Sequence, residues 1–182
     1  MNRDYTVLSF AFGGYEKIRD PYEFDRGAEY VYVTDRESTS AWKLTVDERM
    51  RDMDPVYASY YVRYHPFEYS EADTVFVVDG SVQICDTLRP IYEEFRESGR
   101  DYMPMLTNYR DDDSKIEQWT RDRRLSPIDR EKIRDFLSET GLEKQKGSIG
   151  SALIGLRRSP VIERLLYDCW NKLLELGHDG VP

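Results

Sequence analysis

Five consecutive β-branched or aromatic residues, Thr74-Val75-Phe76-Val77-Val78, run without a charge and stop abruptly at Asp79-Gly80-Ser81. An unbroken run, rather than an apolar/polar alternation, is the pattern of a strand covered on both faces by helices. The rest of the chain must therefore provide neighbouring strands and two helical layers. The same run places a carboxylate directly beyond a rigid strand, where a glycine lets a ligand approach closely. Asp-Gly after a strand is also an ordinary tight turn. Asp79 and Gly80 gain weight only from the company they keep.

The remaining segments supply those layers. Residues 5–12 read as a buried strand ending at Gly13-Gly14, and residues 28–34 as a second strand ending at Asp35. Residues 41–46 alternate as a third strand. Asp54-Pro55 then opens a helix through residue 64, with Pro55 at its first position. Tyr57, Tyr60, Tyr61 and Tyr64 recur along it at spacings of three and four, which predicts core packing with hydroxyls at the rim. After Asp79, residues 82–84 read as a short strand, 88–97 as a helix and 102–106 as a strand. Ser126-Pro127 opens a further helix toward Gly141, 148–156 is a strand of small and apolar residues, and Ser159-Pro160 opens a last helix ending near Leu176. Strands alternating with helices predict an α/β fold with one central mixed sheet flanked by helices, in which ligands gather beyond the carboxyl ends of the strands. At 182 residues the chain is expected to form one domain, 1–182.

Composition narrows the partners. A net charge of −9 works against binding nucleic acid, which draws its affinity from clustered Lys and Arg. The run Arg121, Arg123, Arg124 is broken by Asp122 and reads as a solvated face. No stretch approaches the roughly 20 apolar residues of an integral membrane segment, and the first residues lack the pattern of a secretion signal. Cys85 and Cys169 lie far apart without metal-site spacing, and are expected to be reduced, buried thiols in a cytoplasmic protein.

Several residues near the strand ends have ligand chemistry. Gly13 and Gly14 give backbone N–H groups room to face a ribose or pyrophosphate, and Tyr15 has the ring to stack on a base. Asp35 suits ribose hydroxyls or a base edge, or equally a helix cap. Arg63 has the geometry to neutralise a diphosphate bidentately, or to form a surface salt bridge. His65, followed by Pro66, reads as a structural turn residue. Asp79 offers one hard oxygen ligand for a divalent metal, with Ser81 as a weaker oxygen or water anchor.

The ordered segments AFGGYEKIRDP, YVYVTD, AWKLTV, DPVYASYYVRYHPFEY and ADTVFVVDGSVQI resemble the glycosyltransferase-like domain family of bacterial polysaccharide clusters and plant mucilage-related proteins, itself similar to GT-A glycosyltransferases. The likeness covers residues 5–97 and thins beyond. It implies a single GT-A-like domain that takes a nucleotide-sugar donor and a glycan or other hydroxyl acceptor in polysaccharide biosynthesis. It further implies that residues 11–15, including Phe12, line the nucleotide with Asp35, that Arg63 is the family's basic residue, and that Asp79 is the first acid of a motif holding Mn or Mg. Ser81 stands where that motif has its second acid, which leaves the metal requirement open. Residues 107–110 match a polar loop, so that Asn108, Arg110 and the acids Asp111, Asp112 and Asp113 would meet sugar or acceptor, Asp112 being the candidate base of an inverting reaction. The acid run is also an ordinary solvated loop. The expected activity is sugar transfer, and the alternative is a catalytically degenerate nucleotide-sugar-binding domain.

Overall fold

The computed structural model describes residues 3–14, 17–107, 131, 132, 134, 135, 138 and 148–176, the side chains of 105–107, 148–151 and 176 excepted. Among the described residues the strands are β1 (Tyr5–Ala11), β2 (Ala28–Thr34), β3 (Lys43–Val46), β4 (Thr74–Asp79), β5 (Tyr102–Thr107) and β6 (Ser148–Arg157). With them come the helices α1 (Pro55–Tyr64), α2 (Arg89–Glu97) and α3 (Pro160–Leu176). The strands lie in one sheet in the order β3-β2-β1-β4-β6-β5. β1 pairs parallel with β2 and with β4, β2 parallel with β3, and β4 antiparallel with β6. This is the α/β arrangement, a central mixed sheet flanked by helices, that the sequence predicts.

The period-two alternation of a strand sorts the core into two layers. Leu8, Phe10, Val31, Val33, Val75, Val77 and Leu156 face Ala58 and Val62 of α1 and Ile162 and Leu166 of α3. Tyr5, Val7, Tyr30, Tyr32, Phe76 and Val78 face Tyr92 and Phe95 of α2. Val75, Phe76, Val77 and Val78 thus alternate between two apolar layers, and each is at most 2% exposed. That is why the β4 run contains no polar break.

By its contacts the chain forms two compact units, one of Met1–Met105 with Ser151–Asp168, the other of Leu106–Gly150 with Cys169–Pro182. The first holds β1 to β4, α1 and α2. In the second, residues 131, 132, 134, 135 and 138 are helical, within the helix expected after Ser126-Pro127.

Local expectations change in four places. Residues 82–84 form no strand: Val82 N–H closes a turn on Asp79 O at 2.9 Å, and Ile84 is apolar because its side chain is buried against the α2 layer. β3 begins at Lys43 rather than 41, because Ala41 N–H is drawn to Asp20 Oδ1 (3.0 Å) and Trp42 N–H to Ser40 Oγ (3.1 Å). In α1 the expected tyrosine packing is refined: Ala58 and Val62 are the fully buried positions, while Tyr61 and Tyr64 pack half-buried against the same core and the Tyr61 hydroxyl donates to Glu68. Cys85 is exposed and Cys169 half-buried, since one lies on a loop and the other on the flank of α3. No disulfide joins them.

Candidate functional site

In a parallel sheet, side chains and loops converge on a crevice where two neighbouring strands send their connections in opposite directions. That point here is the junction of β1 and β4. After β1 the chain moves outward to β2 and β3, and after β3 it returns through α1 to β4 on the other side of β1. A cleft of about 350 Å³ lies at the carboxyl ends of these two strands, bounded by Phe10, Phe12, Tyr60, Arg63, Asp79 and Gly80.

Asp79 is the last residue of β4 and pairs in register with Phe10. Alternation from Val75 and Val77 turns it toward the α1 layer. Arg63, one residue before the end of α1, meets it there, with Nη2 donating to Asp79 Oδ2 at 2.9 Å. The other carboxylate oxygen, Oδ1, accepts from Ser81 N–H (3.0 Å) and Ser81 Oγ (2.8 Å). The Arg63 guanidinium carbon lies 5.5 Å from the Phe10 ring centroid and 5.7 Å from that of Tyr60, within cation–π range. Its side chain is 13% exposed, and Nε is buried with no hydrogen-bond partner among the described residues. A cation held between two rings thus fixes the carboxylate at the cleft floor.

α1 reaches this position through local chemistry. Asp54 caps it, its Oδ1 accepting from Val56 N–H (2.9 Å) and Tyr57 N–H (3.2 Å), and Pro55 starts it with a preset φ. The first free N–H groups of the helix are therefore already occupied. Gly13, with φ 64°, lets the turn after β1 lie against Pro55, and a Cβ there would sit 2.5 Å from Pro55 Cγ. Asp35, just beyond β2, ties itself to that turn: its Oδ2 accepts from Gly13 N–H at 2.9 Å.

A second pocket of about 280 Å³ adjoins the cleft across Ala11, which lines both. Thr34, Lys17, Arg36, Ser38 and Thr39 surround it. Gly14, with φ 73°, allows Arg36 to lie on the turn; a Cβ there would stand 2.8 Å from Arg36 Nη1 and 3.0 Å from Cζ.

Of the residues expected from sequence, Phe12, Arg63, Asp79 and Gly80 come together in the cleft, Gly13 and Gly14 form the turn after β1, and Asp35 braces that turn. Tyr15, Asn108, Arg110, Asp111, Asp112 and Asp113 lie outside the described residues. His65 acts structurally: its ring stacks on Tyr61 at 4.1 Å between centroids and its Nδ1 lies 2.9 Å from Tyr61 O. Sequence reasoning passed over Phe10, Tyr60, Lys17, Arg36, Ser38 and Thr39. Their signal was position, since all but Tyr60 stand at or a few residues past a strand's carboxyl end.

Among the described residues, the donor set does not suit a resident divalent cation. Such an ion needs about six hard oxygens, with protein carboxylates among them. Asp79 brings the carboxylate of the cleft, but one oxygen is engaged by a guanidinium and the other by Ser81, whose hydroxyl serves Asp79 rather than an ion. An ion on Oδ2 would face the positive charge of Arg63. Among the described residues, no group of three or more His, Cys, Asp or Glu is placed to hold a metal.

Fold and cleft together define an α/β protein with a candidate site at the β1–β4 switch point. No protein-family model matches the chain, and no curated protein matches it in sequence. Among solved structures it is similar to mouse xyloside xylosyltransferase 1 in its apo form, with 12% identity and a TM-score of 0.48 over 94% of this chain and 74% of that one. A likeness of this degree says nothing of substrate. Among the described residues, no helix is long and apolar enough to cross a membrane.

Proposed function

We propose that this chain is a glycosyltransferase that moves a sugar from a nucleoside-diphosphate donor to a hydroxyl of a glycan or another acceptor. The observation that carries the reading is the Asp79–Arg63 pair at the β1–β4 switch point, in a cleft with aromatic walls. Aromatic rings offer stacking surface for a base, the carboxylate accepts from donor hydroxyls, and the guanidinium opposes charge on phosphate. Phe12, Gly13, Gly14, Tyr15, Asp35, Arg63, Asp79 and Gly80 contact the donor in this reading. Asn108, Arg110 and Asp112 meet the sugar or acceptor.

In the reaction, the acceptor oxygen forms a bond to the anomeric carbon as the bond from that carbon to the diphosphate oxygen breaks. The acceptor proton passes to a base, for which Asp112 is the candidate, and the electron pair of the broken bond stays on the departing diphosphate. Arg63 stabilises the charge that develops there, and the cleft holds the two reactants at attacking distance. Because the donor set does not suit a metal, no step is assigned to one.

A second reading, a nucleotide-sugar-binding domain without transfer activity, is favoured by the closed bonding of Asp79, both of whose oxygens already have partners. Calorimetry with UDP-, GDP- and dTDP-sugars, with and without manganese, tests both readings. Binding with release of free nucleotide in the presence of acceptor supports transfer, whereas binding without turnover supports the second reading. Asp79→Asn is expected to lose donor binding while keeping the parent's circular dichroism and thermal midpoint. Unchanged affinity in that variant would reduce Asp79 to a turn residue.

A further inference from the structure

We infer that the pocket beside the cleft is an anion subsite, in which Lys17 and Arg36 neutralise the diphosphate of the ligand in place of a divalent metal. The inference rests on the proposed nucleoside-diphosphate donor and adds the site of its charged part. A sugar-linked diphosphate carries two negative charges. Arg63 shares its charge with Asp79, so it matches that of the diphosphate only in part. A metal would supply the difference, but the donor set at Asp79 does not suit one.

The adjoining pocket adds positive charge. Lys17 and Arg36 bring two cationic groups, Arg36 sharing its charge with Asp35, and Thr34, Ser38 and Thr39 bring hydroxyls able to donate to phosphate oxygens. Among the described lining residues there is no carboxylate. Asp35 lies behind Arg36, its Oδ1 3.4 Å from Arg36 Nε, while its Oδ2 holds Gly13 N–H. The Arg36 side chain is 53% exposed, and its terminal nitrogens lie over Gly14. Such a concentration of positive charge is notable in a chain of net charge −9. Since Ala11 lines both pockets, one ligand can span them, its diphosphate lying between Arg63 on the cleft side and Lys17 and Arg36 in the adjoining pocket.

The test is calorimetry on the full chain with UDP, GDP and dTDP and with the matching nucleosides, in EDTA and then in manganese. Wild type, Lys17→Met, Arg36→Gln, the double variant and the charge-conserving pair Lys17→Arg and Arg36→Lys are compared. At least one diphosphate is expected to bind wild type in EDTA and more tightly than its nucleoside, with affinity falling as salt rises. Each neutral variant is expected to weaken the diphosphate about tenfold or more and leave the nucleoside unchanged, and the charge-conserving variants to retain most of the affinity. Equal diphosphate affinity in wild type and double variant overturns the inference, as does binding that appears only with manganese. Wild type that binds no nucleotide under either condition overturns the donor reading itself, and the subsite with it.

Discussion

Gly13 stands against Pro55 with φ 64°, whereas Gly99, with φ 67°, has nothing within 4 Å of the position a Cβ would take. The two glycines share a backbone conformation and differ in surroundings, which makes them a matched pair. Gly99→Ala is expected to cost about 1 kcal/mol, the strain of a left-handed alanine. Gly13→Ala adds a collision with the proline that starts α1, and its urea midpoint is expected to fall further, by a total of about 2 kcal/mol or more. Equal losses would mean that the turn moves freely away from α1. Arg63 illustrates another property visible only around the residue. Its charge is held between Phe10 and Tyr60 and directed at Asp79, so the side chain positions the carboxylate as well as contributing its own charge.

At the scale of elements, α1 carries both Tyr60 and Arg63 into the cleft, and its start is set by Asp54 and Pro55. Asp54→Ala is expected to lower stability by about 1 kcal/mol in urea unfolding, because two N–H groups of the first turn lose their acceptor. A loss below a few tenths of a kcal/mol would show that water replaces the cap at no cost. The sequence announced this element well: Asp54-Pro55 is a strong start signal, and the helix runs to Tyr64 as expected. The expected tyrosine packing holds for Tyr61 and Tyr64, which sit half-buried against the core, while Ala58 and Val62 are the fully buried positions of the helix. Residues 82–84 were misread. Short apolar runs are common to strands and to loops pinned onto a core, and Ile84 belongs to the second kind.

At the scale of the molecule, two electrostatic clusters lie away from the cleft. Asp25 accepts from Tyr5 Oη (2.8 Å), Gly27 N–H (2.7 Å) and Arg89 Nε (2.7 Å), joining β1, the loop before β2 and the start of α2. Asp47, just after β3, accepts from Arg49 Nη2 (2.7 Å) and Tyr69 Oη (2.7 Å). The Arg49 hydrogen bonds, aided by Tyr69 and opposed by burial, lower the Asp47 pKa from 3.8 to about 2. Burial opposes ionisation of Asp25 too, and the hydrogen bonds from Arg89, Gly27 and Tyr5 outweigh it, so its pKa is also lowered. Because both folded-state values are lowered, the stabilisation is present above about pH 4 and is lost as pH falls toward 2. For Asp47 the loss is on the order of 1–2 kcal/mol, reduced by the solvent exposure of Arg49. Urea midpoints measured from pH 5 to pH 2 should fall, and Asp47→Asn should flatten part of that fall. An identical slope in the variant would remove Asp47 from the account.

The sequence by itself determined the α/β class, the limits of most strands and helices, and the placing of Asp79 beyond a strand buried on both faces. These follow from local matters: residue periodicity, glycine and proline punctuation, and the requirement that an unbroken apolar strand be covered. Only the tertiary structure decided what Asp79 meets. Strand order brings the ends of β1 and β4 together across about 70 residues of chain, and α1 returns over them to set Arg63 against the carboxylate. The same closure puts Lys17 and Arg36, from two different loops, around one pocket. Pairings of this kind depend on which strands are neighbours and on which face each side chain lies, and those are properties of the assembled sheet rather than of any segment in it.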